Sequence, residues 1–169
     1  MILTQRALDT AQLDWTDLNV IGVGVGPGNF TGIRISVAAV RGLSFALNIP
    51  AFGIKRYEAI CYQQKEDLLC SINAPNGNFY IVRYSNGAFG SCSLTNLDTL
   101  AVPNCENIIG DHSEKISKKL NLKEEKQIYW PATSIAKIAQ GMPIERSPPK
   151  PFYLSTGIYG ASDDFNSKY

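Results

Sequence analysis

The stretch GVGVGPGNFTGIRISVAAVRGLSF, Gly22 to Phe45, puts five glycines and a proline into its first eleven residues and then runs into a helical pattern with two charges. Val20, Ile21, Val23 and Val25 just before and within it make a short apolar run of the kind a buried strand needs, and GPGN interrupts that run. A helix is expected from about Phe30 to Leu47, stopped by Asn48 and Pro50. AFGI, residues 51–54, reads as a second short strand, followed by a helix over about 57–64. The segment is therefore a strand, helix, strand unit suited to parallel pairing, which places the chain in the α/β class.

The glycines invite a phosphate-binding reading, and two specific forms of it fail. A Walker loop needs Gly-Lys-Ser/Thr after its glycines, and no Gly-Lys pair follows these. A dinucleotide fingerprint needs glycine or alanine three residues after a Gly-x-Gly, where this chain has Pro27, Asn29 and Thr31. Two readings stay open. Asn29 or Thr31 caps the helix and its terminus attracts an anion, or Gly26 and Gly28 permit a tight strand-to-helix turn and close packing.

On a wheel of 100° per residue, Ile33, Val37, Val40, Ser44 and Leu47 fall on one side of the helix and Ile35, Ala39, Gly42 and Ala46 on the other. Arg34 and Arg41 occupy a narrow arc between them. A helix on its own sheet needs one apolar stripe, and this one has two, which implies either a fully internal helix or one shared with a second polypeptide. A chain this short has little to bury a helix on all sides, so a second polypeptide is expected on the face of small residues.

The rest of the chain limits what function it can have. Its 169 residues, 44% apolar, support a real core, and sixteen basic against fifteen acidic residues leave a net charge of +1, which advertises no unaided nucleic-acid binding. No apolar run approaches the roughly 20 residues of a membrane span, and the first residues lack a signal-peptide pattern, so no membrane contact and a cytoplasmic location are expected. Cys61, Cys70, Cys92 and Cys105 have no metal-ligand spacing and read as free thiols. The helical spacing over 1–11 begins as though within a helix. Strand-like runs separated by the Asn-Gly pairs at 76–77 and 86–87 predict an antiparallel sheet over 67–95. A buried strand is expected over 106–111, helices over 113–120 and 132–140, and a Pro-rich and then Gly/Ser/Asp-rich tail that drapes over the surface or is partly disordered.

The segment GPGNFTGIRISVAAVRGLSFALNIPAFGI resembles, almost position for position, the GPGSFTGLRIG…KGLA…IP segment of the TsaB family, bacterial proteins of threonylcarbamoyladenosine tRNA modification. LLCSINAPNGNFYIVRY, IIGD and PFYL resemble further motifs of that family, with Asn73 and Asn76 where it often has Asp and Arg, and Ser155 where it has Arg. The resemblance implies the actin, sugar kinase and Hsp70-like (ASKHA, ribonuclease H-like) fold with an incomplete first lobe. Residues 1–56 would be the remnant of that lobe, 57–147 the second lobe and 148–169 a tail, the chain being N-terminally shortened relative to the family.

The resemblance further implies a non-catalytic partner of a TsaD-like threonylcarbamoyltransferase. A TsaE-like ATPase would join the pair, tRNA would be contacted only indirectly, and no catalytic residue, cofactor or metal is expected. Gly28, Asn29, Phe30, Thr31, Ile35, Ala38, Ala39, Gly42 and Ala46 are the implied partner-binding residues, and a homodimer through the same helix is a further possibility.

Rival readings are a nucleotide-binding phosphotransferase of the same superfamily, which would need an acidic phosphate loop that the chain does not carry, and a self-associating structural domain. A zinc peptidase lacks ligands with His112 as the single histidine, and a serine hydrolase lacks the G-x-S-x-G elbow. His112 reads as a surface residue at a helix start capped by Asp111 or Ser113.

Overall fold

The computed structural model describes residues 2–101, 104–143 and 148–154. Its elements in chain order are α1 (Ile2–Ala11), β1 (Ile21–Gly24), α2 (Phe30–Leu47), β2 (Ala51–Ile54), α3 (Arg56–Ile60), β3 (Leu68–Asn73), β4 (Asn78–Ser85), β5 (Ala88–Phe89), β6 (Ser93–Asn96), β7 (Asn107–Gly110), α4 (Ser113–Leu120), β8 (Lys123–Glu124) and α5 (Pro131–Gln140). The strand, helix, strand reading holds: β1 and β2 pair in parallel, Ile21 opposite Ala51 and Gly24 opposite Ile54, with α2 as the crossover.

Alternation along β1 decides which helix covers which face. Val23 and Val25 meet Ile33 and Val37 of α2, with Val40 and Phe152 at the margin. Gly22 and Gly24 face the other way, toward α5. A Cβ on Gly22 would lie 2.8 Å from Ile135 Cγ2 and 3.0 Å from both Ala139 Cβ and the Ile135 carbonyl oxygen. The bare strand face lets α5 seat, and Ile135, Ile138 and Ala139 then pack with Phe52, Ile54 and Ala59. The chain thus returns to its first sheet after completing its second.

Gly26 makes the turn into α2. Its φ of +109° is one that side chains rarely adopt, and a Cβ there would sit 2.8 Å from the Phe152 carbonyl oxygen. The Gly26 carbonyl accepts from Arg56 N at 2.7 Å, and Phe152 N donates to the Val25 carbonyl at 2.8 Å. Residues 148–154 therefore pack against β1 instead of draping: Pro149 is buried, and Phe152 touches the cores of both sheets. The remaining tail, 155–169, lies outside the described residues.

The larger sheet runs β5-β4-β3-β7-β8, with β6 also paired to β4. β3 is antiparallel to β4 and parallel to β7. Both Asn-Gly turns are as expected, with φ of +60° and +73° at Asn76 and Gly77 and +52° and +78° at Asn86 and Gly87. One face buries Leu68, Cys70, Ile72, Val82 and Ile109 against Tyr57 and Ile60 of α3. The other buries Leu69, Phe79, Ile81 and Ile108 against Ile116 of α4.

Three expectations are corrected, and one strand was not expected. α3 ends at Ile60, short of the expected 64, because Cys61 leaves the helical region at φ −87°, ψ 6°. β8 had no pattern to reveal it, being two exposed residues added to the edge of β7. Neither Asp111 nor Ser113 caps α4: His112 occupies the N-cap position with φ +56° and no side-chain cap bond, since Asp111 is held by Arg56 and Asn73 and Ser113 donates to Glu124. Finally, α2 has 18 residues and a mean hydropathy of 1.3, enough by length and composition to cross a bilayer, contrary to the expectation that no stretch approaches this. Its Ile33 and Val37 are instead packed on the sheet. Arg34 and Arg41 within it would each cost about 2.5–3.5 kcal/mol at a bilayer centre.

Candidate docking face

The two faces of α2 have opposite fates. Ile33 and Val37 are buried and Val40, Ser44 and Leu47 are half-buried, as the wheel requires for contact with the sheet. On the opposite arc Thr31, Ile35, Ala38, Ala39, Gly42, Phe45 and Ala46 are all exposed. Ile35 is 65% exposed and Phe45 90%, and no atom lies within 4 Å of where a Gly42 Cβ would be. An unbroken apolar arc of this length on a helix is the usual mark of a protein contact surface, in contrast to single scattered apolar residues. Around Gly42 the neighbours Ala38, Ala39 and Ala46 are small, so a second helix could approach closely there, with Ile35 two turns earlier on the midline and Phe45 at one edge of the arc as pegs.

The structure brings together the expected residues Ile35, Ala38, Ala39, Gly42 and Ala46, with Thr31 one turn nearer the start of the helix. The other three also have places in the chain's own structure. Gly28 is half-buried in the turn. Asn29 is the N-cap: its Oδ1 accepts from Gly32 N at 2.8 Å, which settles the choice between Asn29 and Thr31. Phe30 is 51% exposed yet stacks on Tyr153, ring centroids 4.9 Å apart, with the Arg34 guanidinium 3.8 Å from its centroid. Phe45 was not among the expected residues, although its place on the wheel, at the edge of the small-residue arc, was the signal that could have found it.

Replacing Asn29 with Ala should cost about 1 kcal/mol and lower the melting temperature by about 2–4 °C, while Asn29→Asp or Asn29→Ser should retain most of that stability. Thermal unfolding followed by circular dichroism checks it; equal losses in all three variants would mean that the side-chain acceptor is not what matters.

A polar tie joins the two sheets behind this helix. Asp111 Oδ2 accepts from Arg56 Nη2 at 2.8 Å and from Asn73 N at 2.9 Å, and Ser71 Oγ donates to the Asp111 carbonyl at 2.6 Å. Half-exposed ion pairs contribute only about 0–1 kcal/mol, so the tie orients the sheets more than it stabilises them.

The groups that could do chemistry are dispersed. Among the described residues no three His, Cys, Asp or Glu side chains are grouped to hold a metal ion. His112 Nε2 lies 3.3 Å from Asn73 Oδ1, and its ring packs edge-on against Phe79. All four cysteines are free. Burial pushes the Cys92 thiol up to about 11, and contact with the Cys61 thiol together with burial raises that of Cys70. These shifts run opposite to those of an activated cysteine nucleophile.

Comparison with known proteins agrees with the motif reading. A family model described as TsaD, tRNA N6-adenosine threonylcarbamoyltransferase, matches residues 1–153. The tRNA threonylcarbamoyladenosine biosynthesis protein TsaB of Buchnera aphidicola subsp. Schizaphis graminum is 29% identical over 147 residues, covering 76% of this chain and 70% of that protein. The protein of the same description from Escherichia coli K12 is 28% identical over 93 residues, covering 52% of this chain but only 40% of its own length. The crystal structure of a Pseudomonas aeruginosa protein with similarity to peptidase YeaZ superposes with a TM-score of 0.63 at 22% identity, covering 87% of this chain and 79% of that one. This last likeness is one of fold.

Proposed function

The chain belongs to the TsaD family as a protein of TsaB/YeaZ type, and on that premise we propose that it is a non-catalytic scaffold subunit in tRNA threonylcarbamoyladenosine biosynthesis. Its α2 face docks on a TsaD-like catalytic subunit that modifies adenosine 37 of tRNA. A TsaE-like ATPase joins the resulting pair, and tRNA is handled through the partner. We read residues 1–56 as the remnant of the first lobe of an ASKHA fold, with α5 packed back onto it, and 57–147 otherwise as the second lobe. We read 148–169 as a tail, of which the described part, 148–154, is anchored through Phe152. A cytoplasmic location goes with this role.

The observation that carries the proposal is the apolar arc of α2, open from Thr31 to Ala46 on the side away from its own sheet. Burying Ile35 and Phe45 would contribute about 1.5–3 kcal/mol each before the costs of association, enough for the pair to anchor an interface of ordinary size. A homodimer through the same arc is the second reading, since its small apolar side chains, taken apart from the charges beside them, would also admit a second copy.

Sedimentation velocity of the chain alone and mixed with the TsaD-like subunit tests both. We expect a 1:1 heterodimer in the mixture, to which the TsaE-like ATPase then adds. A homodimer that persists beside unbound partner would overturn the scaffold reading in favour of self-association, and two unbound monomers would overturn both.

A further inference from the structure

The charges around the docking arc say what kind of surface covers it. From Leu18 to Tyr57 the chain has none of its fifteen acidic residues, while the same stretch holds Arg34, Arg41, Lys55 and Arg56. Arg56 is tied to Asp111, and Lys55 Nζ lies 5.6 Å and 5.1 Å from the ring centroids of Tyr57 and Phe152. Arg34 and Arg41, both exposed, pair with no carboxylate among the described residues.

Seven residues apart, these two arginines share one flank of the arc, beside Phe45, whereas the other flank, made by Gly32, Ser36 and Leu43, is uncharged. Arg34 is also held in place: its Nε donates to Tyr153 Oη at 2.9 Å and its guanidinium stacks on Phe30. No hydrogen bond among the described residues engages its Nη groups. A guanidinium fixed in this way loses little entropy when a carboxylate takes its free edge.

Resting on the reading of α2 as a docking helix, we infer that its occupant is a different polypeptide whose docking helix carries Asp or Glu along the flank that meets Arg34 and Arg41. The α2 helix of a second copy does not supply that chemistry, because α2 and its flanking strands contain no acidic residue. Antiparallel two-fold pairing of α2 with itself would bring both arginine flanks to the same side. Parallel pairing would set each against the uncharged flank. One arrangement is repulsive and the other leaves the arginines unmatched.

Charges at a rim act mainly on encounter, so the inference is tested by association kinetics with the TsaD-like subunit as the probe. For the wild-type chain the association rate is expected to fall at least about tenfold from low salt to about 1 M, where the Debye length has shrunk to about 3 Å. Arg41→Gln, which removes no hydrogen bond or ion pair among the described residues, should slow association at low salt by several-fold. The double variant Arg34→Gln/Arg41→Gln should be slow and nearly insensitive to salt, with little change in dissociation rate. Salt-independent wild-type kinetics, or an unaltered rate in both variants, would overturn the inference while leaving the docking reading intact. No wild-type binding at any salt would overturn both. Capture of the wild-type chain but not the double variant by immobilised bulk tRNA, with partner kinetics unchanged, would overturn it in favour of a nucleic-acid contact.

Discussion

Gly42→Glu is expected to abolish binding of the TsaD-like subunit while leaving the isolated chain as stable as before, or slightly more so. The two effects have different physical sources. In the free chain position 42 lies in α2 with nothing within 4 Å of its Cβ site, so the new side chain extends into water. Glutamate is also a better helix former than glycine by about 0.5 kcal/mol. In the complex the same carboxylate would sit at the centre of a closely packed helix contact. A buried unpaired charge there costs about 3–5 kcal/mol, more than a hundredfold in Kd. Ala39→Glu places the charge one turn away on the same arc and should act alike on binding, with a small loss of helix propensity in place of the gain. Ala136→Glu, exposed on α5, is the control that should change neither quantity. A titration that finds either arc variant binding within threefold of wild type would remove α2 as the docking element. A fall in melting temperature accompanying lost binding would mean that the fold, and not the face, had been damaged.

That contrast is possible because the division of α2 into two faces depends on a local periodicity, and local periodicity is what a sequence displays most directly. Its bounds, the parallel unit around it and both Asn-Gly turns were readable for the same reason. What could not be read depends on residues distant in sequence. The glycine loop left two readings open because glycines before a helix start suit an anion or a tight turn equally well; the close approach of the Phe152 carbonyl to Gly26, and of Ile135 and Ala139 to Gly22, depends on residues more than a hundred positions away. The cap of α4 was misread because Asp111 and Ser113 are good capping types recruited by partners from β3, α3 and β8. Phe152 looked like part of a loose tail, since nothing in a Pro-rich stretch announces that its backbone will bond to Val25. On the exposed arc of α2, small residues define the pattern, and a large side chain at its edge, Phe45, reads in sequence as a boundary of the arc instead of a part of it.

The opposite dissociation of effects is expected at the other helix on this sheet. Gly22→Val should destabilise the chain by about 2–3 kcal/mol and lower its melting temperature by about 5–10 °C, with the affinity for the TsaD-like subunit unchanged below that temperature. Strand propensity favours valine, by up to about 1 kcal/mol, so a model in which β1 is limited by its glycines predicts stabilisation. Packing decides the sign. Even the first carbon of the new side chain would meet Ile135 Cγ2 at 2.8 Å and the Ile135 carbonyl at 3.0 Å, and the carbonyl cannot yield unless α5 moves. The displacement would loosen Ile135, Ile138 and Ala139 from Phe52 and Ile54, whereas Val23 and Val25 would keep α2 seated from the opposite face. Gly22→Ala in an Ile135→Ala background separates these terms: removing Cγ2 relieves the closest contact, so the double variant should be more stable than the sum of the single changes by about 1 kcal/mol. Strict additivity would mean that α5 does not approach β1 as closely as the fold requires, and a loss of affinity in Gly22→Val alone would mean that α5, and not α2, presents the docking surface.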